Sequence, residues 1–342
     1  MVKTLPLEKA LELLSLPGLS GNLFSSPDWM TVIRRTYQTN IYVKYVEKDN
    51  KITSYVFYSV VQNFLEWKLC ICSYCDYSDG NVINKEDWQA IIGDLRKEYP
   101  AFRIAIRNLR DEFVREVPEL EVLSRERFHY LDLTENLDDL WRKTNDSFRA
   151  AVNQAKKKGV TVKVCDKSFL PKFYNMHLNI RRQKYRIFPQ PYRFFDIVWQ
   201  EYIDKGKGVM LGAFDPMGDF IAANIYLFCG DQSYYKFNTS SLQGLKWRPN
   251  NLLFWEGIQL SKERNLTLLD LGSSGYEQKG LILFKNHTGA QCQDIIHLGF
   301  SPPGYQFSQK RVLRLMTKTF TLPWMPDFMV KWGSNIIYPY LA

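Results

Sequence analysis

The sequence predicts an α/β protein of mixed sheets, built as two similar domains in tandem, and three observations carry that reading. Strand and helix patterns alternate along most of the 342 residues. The order helix, hairpin, strand, helix, strand runs through the first half and returns in the second. The returns keep nearly one offset: the hairpin turns at Asp49 and Asp215 lie 166 residues apart, and the next helix tryptophans, Trp88 and Trp255, lie 167 apart. A chain of this length can fill two cores of ordinary size. The expected divisions are 1–140, 141–305 and a basic, aromatic tail at 306–342, with a cleft between the two domains.

Each element follows from local chemistry. Ser25, Ser26 and Pro27 open a helix whose apolar positions are Trp29, Val32, Ile33 and Tyr37. Ile41–Tyr45 and Thr53–Val61 flank the polar turn Glu47–Asn50 as a hairpin, and Leu69–Tyr74 extends the sheet into the turn Asp76–Asn81. Glu86–Glu98 is amphipathic and Phe102–Ile106 reads as a strand. Leu140–Gly159 is expected as one basic helix, with Arg149 and Lys156 on one face. Phe173–Tyr185 is a second helix, ending in Arg181, Arg182, Lys184 and Arg186. Tyr192–Ile203 then begins the repeated order, followed by a hairpin of Val209–Phe214 and Ile221–Phe228.

The most informative stretch is Tyr234–Gly289. Tyr234–Asn238 is an aromatic strand, and Pro249 sits where a helix tolerates proline, in its first turn. Leu252, Leu253, Trp255 and Ile258 follow at helical spacing. Leu266–Leu271 is a buried strand reaching Asp270, Gly272–Gly275 is an abrupt turn, and a short helix carries Phe284 and Lys285. Strand-to-helix loops of this kind are where α/β folds collect their sites.

Charge is unevenly shared. Residues 1–140 hold 17 Lys/Arg against 22 Asp/Glu, and residues 141–342 hold 28 against 14. The second half therefore suits an anionic partner: RNA, a phosphorylated headgroup or a membrane surface. No base-reading motif is present, so DNA is not an expected partner. The six cysteines suggest a reduced, cytoplasmic setting. Cys70, Cys72 and Cys75 resemble half a zinc knuckle without a second pair, so neither metal nor other cofactor is expected. The charged N-terminus is no signal peptide, and no apolar run reaches the roughly 18 residues of a membrane span. The tail from Gln309 mixes Lys310, Arg311, Arg314 and Lys318 with Phe320, Trp324, Phe328 and Trp332. It reads either as a wrap packed on the second domain or as a peripheral contact with the inner face of the membrane. P-loop, dinucleotide-binding, zinc-protease and nucleophile-elbow motifs are missing, which leaves kinase, dehydrogenase and hydrolase readings without support.

Taken together, Tyr235, Pro249-Asn250 with Trp255, Asp270-Leu271-Gly272, Gly280-Leu281 and Phe284-Lys285 resemble the Fem family of peptidyltransferases and the related FemAB-like acyltransferases, built from GNAT folds. Ser147-Phe148-Arg149 through Lys156-Lys157 to Gly159-Val160 is similar to that family's basic helix. The family's coiled-coil insertion is not present, because the second domain has no heptad stretch. The resemblance implies an N-acyl or aminoacyl transferase acting on an amine of a cell-envelope, sugar or peptide acceptor that is phosphorylated or lipid-linked. It implies Lys285, Asp76 and Asp270 as catalytic residues. Arg34, Arg182, Arg186, Tyr235, Tyr276 and Phe284 are then the substrate-binding residues. The donor is either aminoacyl-tRNA or an acyl thioester. The loop Ser240–Arg248 has one glycine where a coenzyme A cradle needs several, which favours aminoacyl-tRNA. Two other readings stand beside this one: transfer from acyl-CoA or acyl carrier protein to an amino sugar or amino acid, and a non-catalytic RNA- or anion-binding protein.

Overall fold

The computed structural model describes residues 1–14, 22–62, 67–304, 317, 319, 321–322 and 325–340. The chain divides into two compact units. The first comprises residues 1–126, 294–316 and 335–342, and the second 127–293 and 317–334. The boundaries differ from the expected 140/141 and 305/306 for a reason of pairing. Strand β6 (Glu121–Asp132) gives Arg127–Asp132 to the second unit's sheet, and β12 (Gln291–Phe300) gives Ile296–Phe300 to the first. Sequence reading found neither strand.

In the first unit, β1 (Val2–Pro6), β2 (Ile41–Lys48), β3 (Lys51–Gln62), β4 (Trp67–Ile71), β5 (Arg103–Asn108) and β12 lie side by side in that order. Only β4 and β5 run parallel among these pairs. Helix α1 (Leu7–Leu14) follows β1. Helix α2 (Pro27–Tyr37) starts as expected, with the Ser26 hydroxyl accepting from the Trp29 amide. Helix α3 (Lys85–Glu98) buries Trp88, Ile91, Ile92 and Leu95. It also holds the fully buried Lys44, whose Nζ donates to Asp94 at 2.7 Å and Glu98 at 2.6 Å. The expected strand Leu69–Tyr74 stops at Ile71, because Cys72 and Tyr74 take positive φ and turn the chain away. Cys70, Cys72 and Cys75 are buried, and burial pushes the Cys72 thiol well up.

In the second unit the strand order is β6, β11 (Leu268–Ser274), β10 (Gln232–Ser240), β9 (Phe220–Cys229), β8 (Gly208–Phe214) and β7 (Thr161–Val164). The expected single helix Leu140–Gly159 is two: α4 (Leu137–Lys143) and α5 (Asp146–Lys157). Asn145 makes the break, its side chain capping α5 at the Ser147 amide, 2.9 Å away. Helix α6 (Leu170–Asn179) runs on through Ile180–Tyr185, and α7 (Tyr192–Val198) through Trp199–Ile203. Helix α8 (Pro249–Glu263) packs Leu252, Leu253, Phe254 and Ile258 into a core shared with Phe148 and Val152 of α5 and with Leu269 and Leu271 of β11. Helix α9 (Lys279–His287) follows β11. The C-terminal helix α10 (Asp327–Ile337) buries Val330, which packs with Met325 against Leu178 of α6. Lys310, Arg311, Arg314, Lys318, Phe320 and Trp324 of the expected tail lie outside the described residues. Among the described residues no helix is long and apolar enough to cross a membrane.

Candidate active site

The site grows from one irregularity in the second sheet. Strands β10 and β11 run parallel and pair only over Gln232–Tyr234 and Leu268–Asp270, although both continue beyond. Two bulges separate them. In β10 the register against β9 shifts between Tyr235 and Phe237, and in β11 the register against β6 shifts between Asp270 and Ser273. Residues two apart on an unbroken strand share a face. Here the bulge hands Tyr235 to Phe254 of α8, with centroids 5.3 Å apart, and Phe237 to Phe195 of α7, at 5.1 Å. The β11-facing edge of β10 after Tyr234 has no paired strand among the described residues.

The helix that follows each parting strand walls a cavity of about 810 Å³. Arg248 and Asn251 belong to the start of α8 and Phe284 and His287 to α9, while α5 adds Ser147, Gln154 and Lys157. Rings connect the fork to this cavity: Tyr235 meets Phe254, Phe254 meets Phe284 at 5.8 Å, and Phe284 meets Phe148 at 6.4 Å. On its wall the Ser147 hydroxyl lies 3.2 Å from Nδ1 of His287. The Asn145 amide donates to the His287 carbonyl at 2.9 Å, so the ends of α5 and α9 are fixed together. The lining thus combines apolar Phe148, Ala150, Ala151 and Phe284 with polar side chains that include the cations Lys157 and Arg248. Burial, then the neighbouring Tyr226 and Tyr185, raises the Tyr235 hydroxyl well above its usual pKa, so it stays neutral.

Lys285 points the other way, into the end of β11. Its Nζ donates to the carbonyls of Gly272 at 2.9 Å and Ser273 at 3.1 Å and to the Ser274 hydroxyl at 2.8 Å. Asp270 accepts from the Gly272 amide at 2.6 Å. Both side chains therefore shape the bulge that opens the fork. Beside them on β6, buried His129 shares a 3.0 Å hydrogen bond with the Asn286 side chain. Desolvation, then the Lys285 charge, lowers its pKa to about 4.

Residues 142–280 match the family model described as Acetyltransferase (GNAT) domain. That stretch is thus similar to GNAT acetyltransferase domains. Solved structures agree on the fold. A FemX crystal structure is 14% identical with a TM-score of 0.68, covering 93% of this chain and all of that one (100%). The structure of L-PGS from Bacillus licheniformis is 12% identical, TM-score 0.57, covering 92% and 94%. A tandem GNAT protein from the clavulanic acid biosynthesis pathway is 10% identical, TM-score 0.54, covering 90% and 100%. No curated protein matches the sequence. The architecture is accordingly that of Fem-type tandem GNAT proteins, mixed α/β, and the enzyme class is acyltransferase.

In the second unit, Tyr235, Asp270 and Lys285 gather about the fork and Phe284 lines the cavity. Tyr276 is exposed, with the Arg127 guanidinium 5.2 Å from its ring. The arginines expected to bind substrate are engaged elsewhere. Arg182 is buried, ion-paired with Asp327 and donating to the Met325 carbonyl at 3.1 Å. Arg186 donates to the Thr321 carbonyl at 3.1 Å. Neither lines the cavity; both hold the C-terminal segment. In the first unit, Arg34 pairs with Glu8, and Asp76 is half-buried in the turn after β4. Sequence reading did not single out Arg248, Ser147, Asn251 or His287 as site residues. The signal it passed over was position: each lies at the start of α5 or α8 or at the end of α9, next to residues already marked.

Proposed function

We propose that the GNAT domain transfers an acyl or aminoacyl group from a phosphate-bearing donor to an amine, with the donor in the cavity between α5, α8 and α9. The fork carries this reading: two parallel strands part, and ring contacts from Tyr235 through Phe254 to Phe284 link the parting point to the cavity that the following helices wall. A carbonyl lying in the fork meets backbone N–H groups of β10 where its oxygen gains charge in the transition state. Arg248 and Lys157 face the donor's phosphates, and the apolar Phe148 and Phe284 side excludes water from the ester. His287 lies on the same wall and is the side chain we assign to receive the amine proton, with Ser147 fixing its ring. Asp270 and Lys285 position β11.

The donor we favour is aminoacyl-tRNA. Gln243–Trp247 forms a tight turn in place of a glycine cradle. A Cβ on Gly244 would lie 2.8 Å from Ile221 Cβ, so that glycine serves packing and leaves no bed for a pyrophosphate. Lys156 and Lys157 stand exposed at the end of α5 and suit an RNA backbone. The acceptor we take to be an amine of a phosphorylated or lipid-linked cell-envelope precursor, met in the cytoplasm, in keeping with the Fem-like fold.

Thermal melts test the donor. A ligand at one hundred times its Kd raises stability by about 2.7 kcal/mol. Aminoacyl-tRNA is expected to shift the melt, less so at high salt, and acetyl-CoA is not. Arg248→Ala with Lys157→Ala is expected to weaken the donor about tenfold while the unliganded melt stays put. An acetyl-CoA shift would move the donor to a thioester. Indifference of every donor to the double substitution would remove the cavity from the reaction.

A further inference from the structure

The C-terminal helix α10 has two faces bearing apolar side chains, and among the described residues only one of them is buried. Val330, Ser334 and Ile337 are buried. Phe328, Trp332 and Ile336, one per turn, form a stripe that stays 71%, 60% and 47% exposed. Large apolar side chains singly exposed need no explanation; three in register on one helix do.

The surroundings say what covers the stripe. From Ser301 to Ala342 the sequence holds five Lys/Arg and a single acid, Asp327. That acid is neutralised within the second unit by Arg182. Lys331, beside Trp332, reaches over the Tyr174 ring at 5.9 Å, and Tyr174 packs edge-on against Tyr192 at 5.3 Å. Tyr192 and Tyr185 are themselves exposed, and Lys184 and Arg193 stand exposed next to them in sequence. Exposed aromatic rings interleaved with cations, on a helix far too short to span, match the boundary of an anionic bilayer: rings seek the headgroup level and ammonium groups the phosphates. A protein partner would need both acids to match these cations and a recess for the stripe; an anionic bilayer supplies the phosphates and the apolar layer together.

We propose that Phe328, Trp332 and Ile336 dock the protein on an anionic lipid surface, with Lys331 and its basic neighbours at the phosphates. This surface is distinct from the acyl-transfer cavity and does not rest on its assignment. Cosedimentation of the full chain tests it, using vesicles of phosphatidylcholine alone and of equal parts phosphatidylcholine and phosphatidylglycerol. Binding is expected on the mixed vesicles and much less on the neutral ones. Phe328→Ser with Trp332→Ser is expected to lower that binding about tenfold or more, without moving the melting temperature, because both side chains are exposed. Trp332→Tyr, which keeps an interfacial ring, retains most of it. Failure to bind the mixed vesicles overturns the proposal. So does binding that the double substitution leaves unchanged, or a stripe-dependent dimer seen by sedimentation velocity in place of vesicle binding.

Discussion

Each unit contains one parallel strand pair in register over three residues, and the two pairs end differently. In the first unit, β4 and β5 pair over Lys68–Cys70 and Arg103–Ala105. The chain after β4 then folds back onto the end of β5. The Ser78 amide donates to the Arg107 carbonyl at 2.6 Å, and the Asp79 carboxylate accepts from the amides of Leu109 at 2.8 Å and Arg110 at 3.0 Å. In the second unit, β10 and β11 pair just as briefly but run on apart, and no loop among the described residues ties their ends. One fork is closed by its own backbone and the other is kept open by bulges. Our proposal places the chemistry at the open one. A parallel pair is thus only a frame; in the first unit a loop occupies its end, and in the second the end is left to the proposed substrate.

Breaking the closed fork should have the largest effect on stability. Asp79→Ala strands several backbone N–H groups that a charged acceptor now satisfies, and should destabilise the protein by about 3 kcal/mol in chemical denaturation. Asp79→Asn keeps one acceptor oxygen and should lose less. A cost near zero for both would mean that the loop closes the fork without Asp79. Blocking the open fork should instead spare stability. Asn251→Trp projects bulk from the start of α8 into the cavity and should lower turnover about a hundredfold, roughly 2.7 kcal/mol in the barrier, with an unchanged melt. Normal turnover in that variant would place the reaction outside the cavity.

The open fork was partly legible in the sequence. Proline, glycine and a change of period announce the strand-to-helix junctions here, while Tyr235, Asp270, Phe284 and Lys285 stand out as site residues through the resemblance to the Fem family. The bulges were not legible, since a one-residue shift in register leaves no trace in hydrophobic pattern. The expected turn at Gly272–Gly275 is in fact the end of β11, which the Lys285 side chain holds in place. Long-range pairing also hid β6 and β12, whose residues are too exposed or mixed to read as buried strands. Arg182 and Arg186 misled for the opposite reason. A cluster of cations at a helix end looks the same whether it awaits a phosphate or, as here, grips a carboxylate and carbonyls 135 to 145 residues onward.

The two buried lysines sharpen the comparison through pH. Lys44 in the first unit is held by two carboxylates, whereas Lys285 in the second is held by carbonyls and a hydroxyl, with His129 close enough to feel its charge. His129 is held at about 4 against an unfolded value near 6.5, so the folded state resists protonation there. His177, also in the second unit, is lowered to about 3, first by burial and then by Arg181. A histidine depressed in the fold binds fewer protons than it does unfolded, so stability is complete above pH 6.5 and falls as pH drops toward the folded value. Between pH 7 and pH 5 each should remove about 2 kcal/mol. The second unit should therefore melt first on acidification, which hydrogen exchange measured unit by unit can resolve. His129→Leu should flatten part of that slope, and the remainder should belong to His177. A slope untouched by His129→Leu and by His177→Leu would mean that neither histidine is held neutral, and that acid acts first on the carboxylates of the first unit.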